Sequence, residues 1–289
     1  MHRDEVDIDL ALVRRLVTDQ MPQWADLPIT PVASSGTVNA LYRLGDAMVA
    51  RLPRTGWSPG AFERQARWLP LLAPLVAVAT PQPLAKGTPA HGYPFDWGVY
   101  SWLPGTTAVA EEIPDEVAMA GALAKFVHAL WQVDASGGPA HRRGDLRAQW
   151  DAPVRAAIEA LQGQIDERAV STAWDEALSA AEWIESPRWV HGDLMPANLV
   201  LRDGRLAGII DWEAFGVGDP AVDLAVAWNT LHAAARDVFR AAVEVDEATW
   251  ARGRGWALCT GLVALPYYVE TNPELAANAR FRIAQVLSS

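Results

Sequence analysis

The 289-residue chain is 51% hydrophobic and 20% charged, the balance of a folded globular protein of one large domain or two lobes, not of a disordered, collagen-like or coiled-coil chain. It holds no run of about 18 uncharged apolar residues able to cross a membrane. Its opening puts acidic residues where a secretory leader needs an apolar core. The single cysteine, Cys259, cannot form an intramolecular disulfide, and a cytoplasmic protein is expected. The net charge of −11 lies entirely beyond residue 103, an excess opposite in sign to a nucleic-acid binder's and of the sign that attracts a cationic small molecule.

Taken in chain order, residues 8–20 space Ile8, Leu12, Val13, Leu16 and Val17 at helical intervals. Two apolar runs, 40–44 and 47–52, flank Gly45-Asp46 and predict a hairpin. Residues 61–73 return to helical spacing, with Gln65 inside the apolar stripe and Glu63 on the opposite face. Residues 93–103 alternate bulky groups as a strand does, and Leu103-Pro104-Gly105 ends them. That point is the expected boundary between an N-terminal lobe, 1–103, and a C-terminal lobe, 104–289. The second lobe reads as helices over 114–133, 151–163, 168–185, 220–244, 247–269 and 273–287, interrupted by a strand-rich stretch from Trp189 to Trp212. A small β-rich lobe on a larger helical one is an α+β protein with a cleft between its parts, a common place for a small-molecule site.

The strand-rich stretch carries the chemistry. Asp203-Gly204 is a strong two-residue turn. With those residues at the turn, Arg202 faces Arg205, Val200 faces Ala207 and Asn198 faces Ile209. Asp211 then shares a face with Asn198 as its diagonal cross-strand neighbour. Two oxygen-bearing side chains so placed can hold one hard cation such as Mg²⁺. Asp193, in the loop before the hairpin, is a carboxylate able to accept a proton from a hydroxyl nucleophile.

The run His191-Gly192-Asp193-Leu194-Met195-Pro196-Ala197-Asn198-Leu199, followed by Asp211 and by Gly218-Asp219-Pro220-Ala221-Val222-Asp223-Leu224-Ala225, resembles the aminoglycoside phosphotransferase family, small-molecule kinases with a protein-kinase-like fold. The resemblance covers nearly the whole chain. It implies Asp193 as catalytic base, Asn198 and Asp211 as Mg²⁺ ligands, His191 as a buttress of the loop, Asp219 as a helix cap and Asp223 as a brace. It places Ser35, Gly36 and Thr37 in the phosphate-covering loop, and Arg51 where kinases carry a strand lysine for the phosphates. Gln65 stands where the partner glutamate of that lysine is usual. Tyr100, Ser101 and Leu103 fall on the interlobe hinge, with the Ser101 carbonyl and the Leu103 N–H toward the purine and Tyr100 at its gate. Glu213, where kinases have the glycine of Asp-Phe-Gly, is expected to meet the acceptor or a second metal ion. Glu270 and Glu274 are expected to meet a cationic acceptor.

The function expected is transfer of the γ-phosphoryl group of ATP, or of GTP, to a hydroxyl of a small cationic molecule, foremost an aminoglycoside-type antibiotic. A metabolic kinase for another alcohol is the alternative in the same class. From a different class comes a nucleotide-binding regulatory protein without catalysis, a reading that Arg51 and Gln65 favour and the intact Asp193, Asn198 and Asp211 oppose. A protein kinase fits less well, because no Ala-Pro-Glu segment follows Asp211. No protein partner is implied.

Overall fold

The computed structural model describes residues 6–33, 38–56, 59–109 and 112–289. Helix α1 (Leu10–Gln20) starts where Asp9 accepts the Leu12 N–H at 2.7 Å, a side-chain cap for a helix end. Strands β1 (Ile29–Pro31), β2 (Asn39–Leu44) and β3 (Met48–Pro53) follow, then α2 (Ala61–Leu72), β4 (Pro83–Gly87) and β5 (Trp97–Ser101). The five strands form one antiparallel sheet in the order β1-β2-β3-β5-β4. The hairpin around Gly45 stands as expected. β1 and β4 carry too few alternating residues to be marked from sequence, and the strand predicted over 93–103 shortens to β5.

The chain leaves β5 and within four residues enters β6 (Thr106–Thr107), which pairs with β8 (Leu199–Arg202), itself paired with β9 (Arg205–Ile209). Gly105 makes that passage at φ +137°, and a Cβ there would sit 2.3 Å from the Leu201 carbonyl oxygen. Helices α3 (Glu116–Trp131), α4 (Leu146–Ala160) and α5 (Glu167–Ser179) lie between. α4 begins five residues before its predicted start because Asp145 caps it.

β7 (Arg188–Val190) pairs antiparallel with β10 (Gly216–Gly218). The region predicted as one helix over 220–244 is three: α6 (Ala221–Leu224), α7 (Val226–Asn229) and α8 (Ala233–Val243). Two turns break it, one beyond Asp223 and one at Thr230–His232, where the His232 N–H bonds Glu116 rather than a helical carbonyl. α9 (Glu247–Tyr268) and α10 (Pro273–Leu287) close the chain. Among the described residues no helix is long and apolar enough to cross a membrane.

Two apolar cores form. The smaller packs α1 against the five-stranded sheet and includes Leu16, Leu44, Leu52 and Trp97. The larger holds the C-terminal helices, and Leu69, Leu72 and Val76 of α2 and its following turn belong to it. α2 is therefore carried by the helical part although it lies between strands of the sheet. Ala79, just beyond, bonds β9 on both sides, N–H to Ala207 O at 3.0 Å and O from Ile209 N–H at 2.9 Å.

Gly105→Ala is expected to cost roughly 2–4 kcal/mol, combining a backbone conformation disfavoured for an L side chain with a clash against a fixed carbonyl. Gly137→Ala, at φ +71° with nothing within 4 Å of its Cβ, is expected to cost about 1 kcal/mol. Denaturant unfolding of both variants compares them; equal losses would refute the contact argument.

Candidate active site

The site grows from one pair of short strands. β7 runs into His191-Gly192-Asp193, and β10 is reached through Asp211–Phe215. Their antiparallel pairing sets the two loops side by side. Gly192 turns at φ +79°, and a Cβ there would lie 2.9 Å from the Ala214 carbonyl oxygen. α6 starts directly after β10, so Asp223 reaches back to accept the N–H of His191 and of Gly192, each at 2.7 Å. Burial pushes the Asp223 carboxyl up to about 7 against the two amide donors, which favour its charged form. Asp219 accepts the Ala221 N–H at 3.0 Å and the Arg252 guanidinium at 2.7 Å.

His191 is fully buried. Its Nδ1 accepts the Asp193 N–H at 3.2 Å and its Nε2 faces the Ile210 carbonyl at 3.1 Å. A backbone donor on one ring nitrogen and a carbonyl acceptor on the other match a neutral imidazole protonated on Nε2. Burial lowers its pKa to about 4. The ring also meets Trp212 edge-on at 4.8 Å. It ties the Asp193 loop to the segment before Asp211.

The hairpin between these loops is built as expected at its tip and differently at its base. Asp203 and Gly204 both have positive φ, 53° and 70°, and Arg202 faces Arg205. Below that, Leu201 faces Leu206 while Val200 faces Gly208, so Ala207 is a bulged extra residue. The bulge arises because Ala207 turns its carbonyl to Ala79. Leu199, not Asn198, consequently faces Ile209. Asn198 closes a 3₁₀ turn over Pro196–Asn198 and accepts the Ile210 N–H at 2.9 Å through its carbonyl. Asp211 sits at φ +62°. Both side chains nonetheless line one cleft of about 760 Å³; the turn and the left-handed residue, not strand alternation, bring them there.

Asn198 Nδ2 donates to the Asp193 carbonyl at 2.8 Å and approaches Asp193 Oδ2 at 3.3 Å, which leaves Asn198 Oδ1 available. Asp211 Oδ1 meets Arg51, which leaves Oδ2. Two hard oxygens at a cleft suit Mg²⁺, which takes one or two protein ligands and completes its shell with phosphate and water. Asp193 is held from its other side by Arg143, which donates Nη2 to Asp193 Oδ1 and Nε to the Gly192 carbonyl at 2.8 Å. Sequence inspection missed Arg143: it lies 50 residues away in a loop after α3, with no local pattern to mark it.

The cleft also receives Arg51, Tyr100, Ser101, Leu103 and Glu274. The Ser101 hydroxyl accepts the Gln82 N–H at 2.8 Å, and the Trp102 N–H bonds Ala47 O at 2.8 Å, which fixes the β5 exit. Ser35, Gly36 and Thr37 lie outside the described residues.

Gln65 and Glu213, both near Arg51, differ in what they meet. Gln65 does not pair with Arg51: it is buried on α2 and its Oε1 has no hydrogen-bond partner. Glu213 is turned to the sheet: its Oε1 takes Arg51 Nη2 at 3.1 Å and Asn39 Nδ2 at 2.7 Å. Its partner cation sits on β3, and the partial burial of Glu213 favours a direct ion pair over hydration. Burial and neighbouring Asp211 raise the Glu213 carboxyl above its ordinary value. Burial alone would favour neutral Arg51, but Asp211 and Glu213 reverse this and hold it protonated. Glu270 and Glu274 are both exposed, and only Glu274 reaches the cleft.

His191→Gln keeps one donor and one acceptor without a titratable ring. The unfolded ring takes up a proton near its ordinary 6.5 while the folded one stays neutral to about 4. Its contribution is therefore present above pH 6.5 and lost as pH falls toward 4. Wild-type stability should drop relative to the variant by about 3 kcal/mol over that window. Unfolding curves at several pH values check this, and a constant difference between the proteins would refute a buried neutral imidazole.

The model of the phosphotransferase enzyme family matches residues 29–256. Thiamine kinase of Escherichia coli is 29% identical over 219 residues, 74% of this chain and 69% of that protein. An aminoglycoside 3′-phosphotransferase of Escherichia coli is 30% identical over 142 residues, 47% of this chain and 52% of that protein. The solved GDP complex of an aminoglycoside 2′-phosphotransferase superposes with a TM-score of 0.71 at 18% identity, covering 97% of this chain and 99% of the other, so the two share the kinase-like fold. The matched span takes in the sheet from β1 onward, both loops of the site and the first half of α9, and the chain belongs to the phosphotransferase enzyme family.

Proposed function

We propose that the protein is a small-molecule kinase that moves the γ-phosphoryl group of a nucleoside triphosphate, ATP before GTP, onto a hydroxyl. The observation that carries this reading is the meeting, at one cleft, of Arg51 from the sheet with Asn198 and Asp211 from the hairpin, and Asp193 bonded to Asn198 beside them. Phosphoryl transfer asks mainly for positioning and for neutralisation of phosphate charge. Mg²⁺, held by Asn198 and Asp211, supplies that neutralisation when bound. Nucleotide binds between the lobes, 1–103 and 104–289, with the purine against the Ser101–Leu103 segment and the phosphates toward Arg51. Asp193, oriented by Asn198 and Arg143, accepts the proton of the attacking hydroxyl.

The acceptor is a cationic alcohol of the kind named in the relatives, an aminoglycoside or thiamine. Glu274 at the cleft and the acidity of residues 104–289 support the charge. The longer match to thiamine kinase favours a metabolic alcohol as the second reading. Incubation with ATP or GTP and a panel of aminoglycosides, thiamine and neutral alcohols, followed by mass spectrometry of the products, tests it. A single acceptor gaining a phosphoryl group supports a kinase; tight nucleotide binding with no acceptor modified refutes it and leaves a regulatory protein.

Asp193→Ala is expected to lower kcat by about 10²–10⁴-fold, the loss usual for a general base, with nucleotide affinity little changed; near-normal turnover would overturn the role. For a polycationic acceptor, KM should rise with added salt while kcat changes less, since ionic attraction is screened over about 8 Å at physiological ionic strength. Equal salt dependence for neutral and cationic acceptors would argue against charge recognition.

A further inference from the structure

We infer that Glu213, backed by Asn39, is the residue that positions Arg51 for the nucleotide phosphates, so that the phosphate-directed cation of this protein is anchored to the turn of the metal aspartate and not to helix α2. The inference rests on the reading that Arg51 meets the phosphates.

Four observations lead to it. Arg51 and Glu213 are 12% and 13% exposed at the side chain, so the pair is largely shielded from water, where a charged hydrogen bond orients its partners most strongly. Glu213 is itself held from three elements. Its Oε1 takes Asn39 of β2 and Arg51 of β3, and its main-chain carbonyl takes Arg64 Nη2 of α2 at 2.9 Å. Both carboxylates are met by one nitrogen of Arg51, Nη2, at 2.9 Å for Asp211 and 3.1 Å for Glu213. That leaves the rest of the guanidinium fork for phosphate oxygens, a division of contacts a lysine ammonium makes less well.

The fourth observation is Gln65. It lines a cavity of about 340 Å³ together with Arg51, Asn39 and Glu213, yet makes no ion pair, and its buried Oε1 is unpartnered. With Asp211 and Glu213 already on Arg51, a glutamate at 65 would set a third carboxylate around one cation, which burial penalises heavily. A neutral amide is the side chain this charge balance accepts. The turn that carries Glu213 is stiff as well: Trp212 is fully buried and donates Nε1–H to the Ile209 carbonyl at 2.9 Å.

The test compares four proteins by calorimetric titration with ADP in EDTA, and by KM for ATP and kcat with Mg²⁺ and the identified acceptor. Glu213→Gly should weaken ADP binding about 10–100-fold, the worth of a charged hydrogen bond, and raise the KM for ATP similarly with a smaller change in kcat. Glu213→Gly combined with Gln65→Glu should move the carboxylate to α2 and recover most of that affinity. Arg51→Ala is the control for the underlying reading. If it binds ADP like wild type, Arg51 is not a phosphate ligand and that reading fails. If Arg51→Ala weakens binding while Glu213→Gly does not, or the double variant binds no better than Glu213→Gly, the positioning role is overturned and the phosphate role stands. Should Glu213→Gly fail to fold by thermal melting, Glu213→Gln keeps the volume and the Asn39 contact. Its ADP affinity must then fall by about tenfold or more, and wild-type affinity would overturn the proposal.

Discussion

A carboxylate sealed from water holds the candidate site together. Asp223 accepts two backbone N–H groups of the His191-Gly192 turn, donors that would otherwise be buried without partners at a cost of about 1–3 kcal/mol each. The turn then has one conformation, and Asp193 leaves it in one direction. Because Asp223 lies in α6, which follows β10 after two residues, the same contact also fixes where the Asp211–Phe215 loop ends. The β7–β10 pairing, the positive φ of Gly192 and the neutral imidazole of His191 all serve this arrangement: each closes the space between the two loops without introducing a free charge.

Charge enters the site on the other side, where the sheet meets the hairpin. Arg51 is the one side chain of β3 placed to touch both Asp211 and Glu213, and it joins the two apolar cores electrostatically. Protein kinases make a comparable junction through a helix, whereas here α2 contributes a neutral glutamine and a backbone-directed arginine, Arg64. α2 is packed into the larger core through Leu69 and Leu72, so its position is already determined by burial and needs no ion pair with the sheet. Arg143 gives the Gly192-Asp193 loop a cationic support, and it comes from a part of the chain that the local motif does not include.

Much of this was legible beforehand. Helices with a full apolar stripe, such as 8–20 and 273–287, stood where spacing put them, because burial of that stripe is a local property of the sequence. The Asp203-Gly204 turn followed from its dipeptide, since both residues adopt positive φ. The hairpin base did not follow: the bulge at Ala207 depends on Ala79, more than a hundred residues earlier, which no periodicity reveals. The single helix read across 220–244 broke because contacts such as that of Glu116 with His232 compete with helical hydrogen bonds.

Residue types and their order along the chain determined the family and the acidity of the C-terminal half, and they singled out the residues proposed for the chemistry. Those are local or compositional facts, readable wherever one segment carries all its members. Which cation meets which carboxylate was decided by folding. The neutral Gln65 at the aligned position cannot form an ion pair, and folding brought the carboxylate of Glu213, distant in sequence and partly buried, to Arg51 instead.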